Sequence, residues 1–275
     1  MEDLFHYFPT DLTNVIVSSV RDYSDLDNLI ISFPYFRSLR WPLIHFNVFG
    51  GQYIPSITYE EHLRKIGIYS FKEKLNLDMT IVELDSLQYL YLAGKQLTNV
   101  PKEIGNLQNL QELRLSNNKL TSIPKEIGNL QNLQELYLSN NLLTSIPKEI
   151  GNLEKLKDLH LNLNKLTDVP REIGNLQNLQ GLSLSNNLLT DVPISFGNLQ
   201  NLKYLYLGDN QLTNVPKEIS NLQNLKELNL MNNKLTDVPK EIGNLQNLYH
   251  LDLTYNQLMN VPKEIKNIAG LTLMT

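Results

Sequence analysis

Residues 133–155 read LQELYLSNNLLTSIPKEIGNLEK, and this stretch decides the fold because the chain repeats it with small changes. Leucine stands at its first, fourth and sixth positions, asparagine at its ninth and proline at its fifteenth. The first position returns every 23 residues, at Leu87, Leu110, Leu133, Leu156, Leu179, Leu202, Leu225 and Leu248. Repeats of this length indicate a stacked array, in which each unit buries its apolar face against its neighbours. We predict eight units over residues 87–270 and a truncated ninth over residues 271–275.

Each unit combines a strand pattern with a turn pattern. Leu136 and Leu138 flank Tyr137, which is the period of a strand with one buried face. Pro147 cannot continue a strand ladder, and Ile150 lies three residues before Leu153, so one helical turn can point both inward. Burial stabilises by roughly 1.5–3 kcal/mol for each large apolar side chain, but a single unit cannot close its own core. The stacking of neighbouring units must therefore stabilise the array.

The repeated pattern L-x-x-L-x-L-x-x-N-x-L closely resembles the leucine-rich-repeat family, and it covers about two thirds of the chain. Its Ile-Pro-Lys-Glu-Ile-Gly-Asn-Leu segment is most similar to the intracellular repeats of bacterial and plant members. The resemblance implies an α/β solenoid, a curved horseshoe with a parallel sheet on its concave side. It also implies a surface that binds other macromolecules on that concave face.

The resemblance gives the asparagine of the ninth position a structural role, inside the array and bonded to backbone groups of adjacent turns. An apolar replacement would leave those groups without partners, at a cost of roughly 1–3 kcal/mol each. Seven units carry this residue, as Asn118, Asn141, Asn164, Asn187, Asn210, Asn233 and Asn256. Lys95 replaces it in the first unit, as expected of a terminal repeat that is partly solvated.

Composition excludes several classes of function. A formal net charge of −5 argues against nucleic-acid binding, which usually needs a basic surface. The absence of cysteine removes disulfides, thiolate metal sites and cysteine nucleophiles, and it suits a reducing compartment. The first residues, MEDLFHYFP, do not read as a secretory signal, and no segment approaches the roughly 18 apolar residues of a membrane span. We expect a cytoplasmic protein that binds neither membranes nor nucleic acid.

The sequence contains no motif typical of a catalytic, metal-binding or phosphate-binding site. The five histidines are scattered, with no pair at the spacing of metal ligands on a helix. Glycines recur in Gly-Asn-Leu segments, where we expect them to end the helical turn of each unit, and they form no phosphate-binding loop. Serines recur with the period of the repeat, whereas a catalytic group is needed only once. We therefore predict no enzyme activity, no cofactor and no metal.

Residues 1–86 lack the repeat and are richer in aromatic residues. Helical spacing of apolar residues appears between Leu12 and Val20, and a capping box at Ser24 and Asp27 predicts the start of a second helix. Another helix is expected around residues 59–66. We predict a helical N-terminal domain that covers the exposed apolar end of the first repeat, because solenoids need such a cap for solubility.

Residues 8–48 within this segment also resemble an F-box. The resemblance rests on Phe8-Pro9-Thr10-Asp11-Leu12, on the pair Asp25-Leu26, and on Phe36-Arg37-Ser38-Leu39. Phe8 stands where the family has leucine, and Asp11 where it has glutamate. The resemblance implies an adaptor of a ubiquitin ligase, which docks on a Skp1-like protein through Pro9, Leu12, Asp25, Leu26 and Phe36. The alternative is a structural repeat protein with a plain helical cap, no specific partner and no link to ubiquitin.

The third and fifth positions of each unit are the candidate binding positions, because their side chains point away from the core and vary between units. Tyrosine and arginine are frequent at binding hot spots, although tyrosine also simply suits exposed strands. The charges on this face are mixed, which favours a protein partner over a polyanion. We predict a partner-binding set of Tyr89, Tyr91, Arg114, Tyr137, His160, Tyr204, Tyr206 and Asp252.

The last five residues, 271–275, begin a unit without a polar helix to cover it. An open strand edge with exposed leucines invites pairing with another chain. We predict self-association or fraying at this edge.

Overall fold

The computed structural model describes residues 59–275, and the chain divides into two compact units, Met1–Leu77 and Asp78–Thr275. Helix α1 (Tyr59–Leu75) belongs to the first unit and confirms the helix expected around residues 59–66. The F-box-like segment and the helices predicted near Leu12 and Ser24 lie outside the described residues. The proposed boundary between residues 86 and 87 stays a prediction.

The second unit opens with the short helix α2 (Ile81–Asp85), which a capping box starts. The Glu83 N–H donates to Thr80 Oγ1 over 3.2 Å, and the Thr80 N–H donates to Glu83 Oε2 over 2.7 Å. These two bonds satisfy backbone donors that the first turn of a helix leaves without partners. From here the chain enters the first strand of the repeats.

Nine short strands form one parallel sheet in chain order within the described repeats. Each strand lies one period after the last, so that Leu113 faces Leu136 and Leu136 faces Leu159. The strands predicted from the alternation of leucine and the parallel sheet implied by the family resemblance are confirmed. The strands are β1 (Tyr89–Tyr91), β2 (Glu112–Arg114), β3 (Glu135–Tyr137), β4 (Asp158–His160), β5 (Gly181–Ser183), β6 (Tyr204–Tyr206), β7 (Glu227–Asn229), β8 (His250–Asp252) and β9 (Thr272–Met274).

A 3₁₀ turn on the outer side follows each strand from β1 to β7, and a short α-helix follows β8. Pro147 precedes one such turn with φ −67° and ψ 144°, and the two inward side chains of that turn, Ile150 and Leu153, are fully buried. The 3₁₀ turns are Lys102–Asn106, Lys125–Asn129, Lys148–Asn152, Arg171–Asn175, Ile194–Asn198, Lys217–Asn221 and Lys240–Asn244, and the helix is α3 (Lys263–Lys266).

The glycine of the turn has a role that differs from the predicted one. Gly151 lies inside the turn Lys148–Asn152 and does not end it in a left-handed conformation. A Cβ atom at this position would lie 2.3 Å from the carbonyl oxygen of Glu172 in the next unit. The expectation that these glycines end a helical turn is wrong, and a glycine such as Gly151 instead leaves room for the closely stacked turn of the next unit.

The asparagines of the ninth position form the expected ladder. Asn164 accepts a bond from the Leu143 N–H over 3.1 Å and donates to the carbonyl oxygens of Leu138 and Leu161, each over 3.0 Å. One buried amide thus joins three backbone groups in two neighbouring units. Lys95, which replaces asparagine in the first unit, is exposed, as predicted.

The last strand departs from the period of the repeat. Leu251 pairs with Leu273, a spacing of 22 residues (273 − 251), whereas Leu228 and Leu251 pair at a spacing of 23 (251 − 228). Only Thr272 separates Leu271 from Leu273, where complete units have two residues between their first two leucines. The strict period places Met274 opposite Leu251, and the observed register instead turns Leu273 toward the core side of the sheet.

Candidate functional site

The concave face of the sheet carries the third-position and fifth-position side chains, and the predicted residues other than Asp252, which lies on β8, fall into two groups on it. One group lies on β1–β4 and the other on β6, with β5 between them. Register brings residues of one position into a continuous column, so that Tyr91 neighbours Arg114 and Arg114 neighbours Tyr137. Tyr89 and Tyr91 on the first strand are the most open, at 49% and 57% exposure.

The fifth-position side chains of β1–β4 form a stack, which we call the N-terminal stack (Tyr91, Arg114, Tyr137 and His160). The Arg114 Cζ lies 5.2 Å from the ring centroid of Tyr91 and 4.7 Å from that of Tyr137. The rings of Tyr137 and His160 lie 4.6 Å apart with an interplanar angle of 5°. The guanidinium is therefore held between two aromatic faces, an arrangement favoured by the negative charge of those faces.

Carboxylates of the third position hold this stack in place. The Arg114 Nε–H donates to Glu112 Oε1, and the Tyr137 hydroxyl donates to Glu135 Oε2 over 2.6 Å. The bond to Glu112 is the main cause that raises the pKa of Arg114. Burial, aided by the bond to Glu135, raises the pKa of Tyr137 to about 12, so the phenol stays protonated and keeps its donor role.

His160 ends the stack in a partly buried position. Burial lowers the pKa of His160 below its ordinary value, although the nearby carboxylates of Asp158 and Glu135 act in the opposite direction. Burial likewise raises the pKa of Asp158, against the effect of His160. The neutral imidazole is thus the favoured form in the stack near neutral pH.

A second group, the tyrosine cluster (Tyr204, Tyr206, Tyr249 and Glu227), lies on β6, on β7 and at the residue before β8. The hydroxyls of Tyr206 and Tyr249 both donate to the carboxylate of Glu227, over 2.8 Å and 2.5 Å. The bond from Tyr249 is the main cause that lowers the pKa of Glu227, and it raises that of Tyr249 to about 12. Burial and the bond to Glu227 raise the pKa of Tyr206. One ionised carboxylate is therefore surrounded by protonated phenols.

Small side chains separate the two groups. Gly181 and Ser183 occupy the third and fifth positions of β5, between the strands of His160 and Tyr204. A Cβ atom at Gly181 would lie 2.4 Å from Asp158 Oδ1, so the carboxylate of Asp158 uses the space that the glycine leaves. Strand β5 therefore carries no aromatic side chain between the two aromatic groups.

Asp252 does not present the exposed carboxylate that the sequence predicted. It is 5% exposed, and its Oδ1 accepts from the N–H and the hydroxyl of Thr254, over 2.9 Å and 2.6 Å. Because Thr254 donates both bonds, the carboxylate of Asp252 lies against the backbone, and little of it is accessible to a partner.

Sequence reasoning missed Tyr249 as a member of the site. It stands at the second position of its unit, just before β8, and reaches back over Glu227. A signal was present, because the second position is glutamine or lysine in the other units and tyrosine only here. The five F-box docking residues Pro9, Leu12, Asp25, Leu26 and Phe36 lie outside the described residues.

The described residues hold no group of three or more histidine, aspartate or glutamate side chains able to bind a metal ion. None of the helices within the same residues has the length and apolar character needed to cross a membrane.

Two family profiles match the sequence. The profile described as "Leucine-rich repeat region" matches residues 46–164 and 145–234, and that described as "Leucine Rich repeats (2 copies)" matches residues 223–270. Together they cover more than half of the chain. No curated protein matches the sequence.

Solved structures share the fold of this chain. A leucine-rich-repeat protein of Leptospira interrogans is 42% identical with a TM-score of 0.63, and the match covers 72% of this chain and 57% of that one. Internalin C2 from Listeria monocytogenes is 30% identical with a TM-score of 0.63, over 76% of this chain and 91% of that one.

A plant structure is also similar, namely the LRR ectodomain of the membrane receptor kinase GASSHO1/SCHENGEN3 from Arabidopsis thaliana in complex with CASPARIAN STRIP INTEGRITY FACTOR 2. It is 36% identical with a TM-score of 0.61, over 64% of this chain and 22% of that one. The chain thus spans less than two thirds of the length of both the Leptospira protein and the plant ectodomain.

Proposed function

This chain belongs to the leucine-rich-repeat family, and we propose that it binds a peptide or protein partner on the concave face of its sheet. Proteins of this family generally mediate protein–protein interaction, and their fold is typically a non-enzymatic scaffold. The plant relative was solved in complex with CASPARIAN STRIP INTEGRITY FACTOR 2, which supports a binding role for the repeats here.

The observation that carries the proposal is the concentration of aromatic side chains on this face. Leucines and asparagines of the repeat are buried and build the array, whereas Tyr89 and Tyr91 keep about half of their surface exposed. The N-terminal stack and the tyrosine cluster already hold their rings in fixed positions through hydrogen bonds and ring contacts. Aromatic side chains that are rigid before binding lose little conformational entropy in a complex, which suits a binding surface.

The charge of the face favours a polypeptide over a polyanion. Glutamates and aspartates outnumber cations on the third and fifth positions, and Arg114, the arginine there, is paired with Glu112. A phosphate backbone would be repelled by such a surface, whereas a polypeptide can present complementary cations.

Capture of a partner from an extract of the source organism tests the proposal. The full chain is compared with the variants Tyr91→Ala and Tyr206→Ala, and with Lys148→Ala on the outer turn as a matched control. Hot-spot tyrosines typically contribute enough that each concave variant should weaken capture by about tenfold or more. Equal capture by all four proteins would place the binding surface elsewhere and overturn the proposal.

The adaptor role is a finer proposal that rests on the F-box-like segment of the sequence. A Skp1-like protein should bind the full chain and should fail to bind a variant that combines Pro9→Ala and Leu26→Ala. Failure of the unchanged chain to bind would leave the alternative of a plain cap. The cytoplasmic location and the self-association at the C-terminal edge also stay predictions.

A further inference from the structure

Two pairs of neighbouring strands on the concave face carry almost the same residues. Strands β1 and β2 read Tyr-Leu-Tyr and Glu-Leu-Arg, and strands β6 and β7 read Tyr-Leu-Tyr and Glu-Leu-Asn. The register of the two pairs is also the same, since Tyr91 faces Arg114 and Tyr206 faces Asn229. The second pair thus repeats the first with asparagine in place of the arginine.

The first pair shows what its combination of side chains binds. The guanidinium of Arg114 lies over the ring of Tyr91, and it bonds the carboxylate of Glu112 two residues earlier on the same strand. The ring of Tyr137 on β3 covers its other side. Aromatic faces attract a cation and the carboxylate neutralises it, so the three groups together form a seat for a guanidinium.

The second pair keeps the seat but lacks the cation. Asn229 is too short to lie over the ring of Tyr206, and its Oδ1 instead accepts from the Met231 N–H over 3.1 Å. A further tyrosine is again present, since the hydroxyl of Tyr249 donates to the carboxylate of Glu227 from the β8 side. Within the described repeats, Glu227 forms no ion pair with a lysine or arginine, and the neighbouring Lys203 donates to Gln180 over 2.8 Å.

We propose that the tyrosine cluster is a subsite for a cationic side chain of the partner, an arginine guanidinium or a lysine or methylated-lysine ammonium. The inference rests on the proposed function, because it names the chemistry that the concave face recognises. The partner's cation would take the place in this cluster that Arg114 takes in the N-terminal stack, over the ring of Tyr206 and beside Glu227. The buried carboxylate of Asp252, across from Asn229 on β8, adds negative charge to the same end of the face.

Ring-labelled tyrosine allows binding to be observed by NMR in the full chain, which contains 13 tyrosines. Signals of Tyr204, Tyr206 and Tyr249 are assigned from single Tyr→Phe variants. The probe is N-acetyl-arginine amide, and N-acetyl-citrulline amide is the matched neutral probe. We expect the arginine probe to shift these three signals in a saturable manner and to leave Tyr91 and Tyr137 unchanged, because Arg114 already fills their site. Equal shifts with the citrulline probe would overturn the proposal.

Two variants test the seat itself. Asn229→Arg gives the cluster a cation of its own and should abolish the shifts, while Glu227→Gln keeps the shape but removes the charge and should weaken binding by roughly fivefold or more. Glu135→Gln, which removes a carboxylate bonded to Tyr137 in the N-terminal stack, is the control and should bind the probe like the unchanged chain. Unchanged binding by Glu227→Gln would contradict the inference even if Asn229→Arg did not fold.

The two proposals fail in distinguishable ways. If concave alanine variants lose the natural partner but the arginine probe does not bind, the concave face is a binding surface without a cation subsite. If the probe binds but every concave variant captures the partner as well as the unchanged chain does, the cluster binds cations and the partner binds elsewhere.

Discussion

The N-terminal stack and the tyrosine cluster occupy the same face of the same sheet, and the strand pairs on which they are built, β1–β2 and β6–β7, differ in one residue. In the first, the guanidinium of Arg114 lies between two aromatic rings and pairs with the carboxylate of Glu112. In the second, Asn229 accepts from the backbone, and the carboxylate of Glu227 accepts the hydroxyls of Tyr206 and Tyr249. The comparison shows how a repeat protein creates a distinct site on a uniform scaffold, by omitting one side chain from a cluster that it completes elsewhere.

The comparison depends on both clusters sharing one continuous array, and Asn164 lies in the last unit of the N-terminal stack, the unit that carries His160. Replacing Asn164 by leucine removes bonds to the Leu143 N–H and to two buried carbonyl oxygens. The Leu143 N–H is then left without a partner, at a cost of roughly 1–3 kcal/mol, whereas the carbonyl oxygens of Leu138 and Leu161 keep bonds from Asn141 and Asn187 and lose roughly 0.5–1.5 kcal/mol each. We therefore expect the free energy of unfolding to fall by about 3 kcal/mol.

Urea denaturation measures this loss, and Lys165→Ala, a change of the exposed neighbour, serves as the control. The NMR signals of both clusters should broaden or shift at the same urea concentration, because the array is continuous. Loss of one cluster well before the other would show that the two halves of the sheet unfold independently.

An exchange of residues between the clusters gives the next largest effect. Arg114→Asn should convert the N-terminal stack into a second open seat, and N-acetyl-arginine amide should then shift the signals of Tyr91 and Tyr137. Affinity at this site should increase by on the order of tenfold over the unchanged chain, where the seat is filled. Thermal stability should fall slightly, because Glu112, at 8% exposure, loses its partner.

The double variant Arg114→Asn, Asn229→Arg sharpens this test, since it moves the cation from one cluster to the other. The probe should then bind at Tyr91 and Tyr137 and not at Tyr206. Binding at neither cluster in the double variant would show that the likeness of the two strand pairs does not extend to their chemistry.

Most of the fold could be predicted from the sequence, because the core positions of every unit must bury their apolar side chains. A leucine such as Leu136 must face inward wherever its unit is stacked, so its period predicts the strands and the order of the sheet. The family resemblance adds the ladder of Asn164 and its equivalents. The register of β9 was not predictable from the period, because the spacing of Leu271 and Leu273 shortens the last unit by one residue.

The candidate site was less accessible to sequence reasoning. Alternation along a strand predicts the face of the sheet on which each side chain lies, and it placed Tyr91, Arg114 and Tyr137 in one column. It does not predict rotamers, and contacts between columns depend on them. Tyr249 joins Glu227 from outside the strand, and Asp252 bends toward Thr254, so one member of the site was missed and one assigned residue is buried.

The smallest expected effect concerns His160, which ends the N-terminal stack and has no counterpart in the tyrosine cluster. Burial against Tyr137 lowers its pKa below the ordinary value of 6.5, so its NMR titration midpoint should lie below that of histidine in the unfolded chain. A base with a lowered pKa binds fewer protons when folded, so its contribution to stability is present above pH 6.5 and is lost as the pH falls through the folded pKa. Tyr137→Ala exposes the imidazole and should return the midpoint toward the ordinary value. A midpoint that stays unchanged in this variant would mean that the stack with Tyr137 does not bury the histidine, and the N-terminal stack would then end at Tyr137.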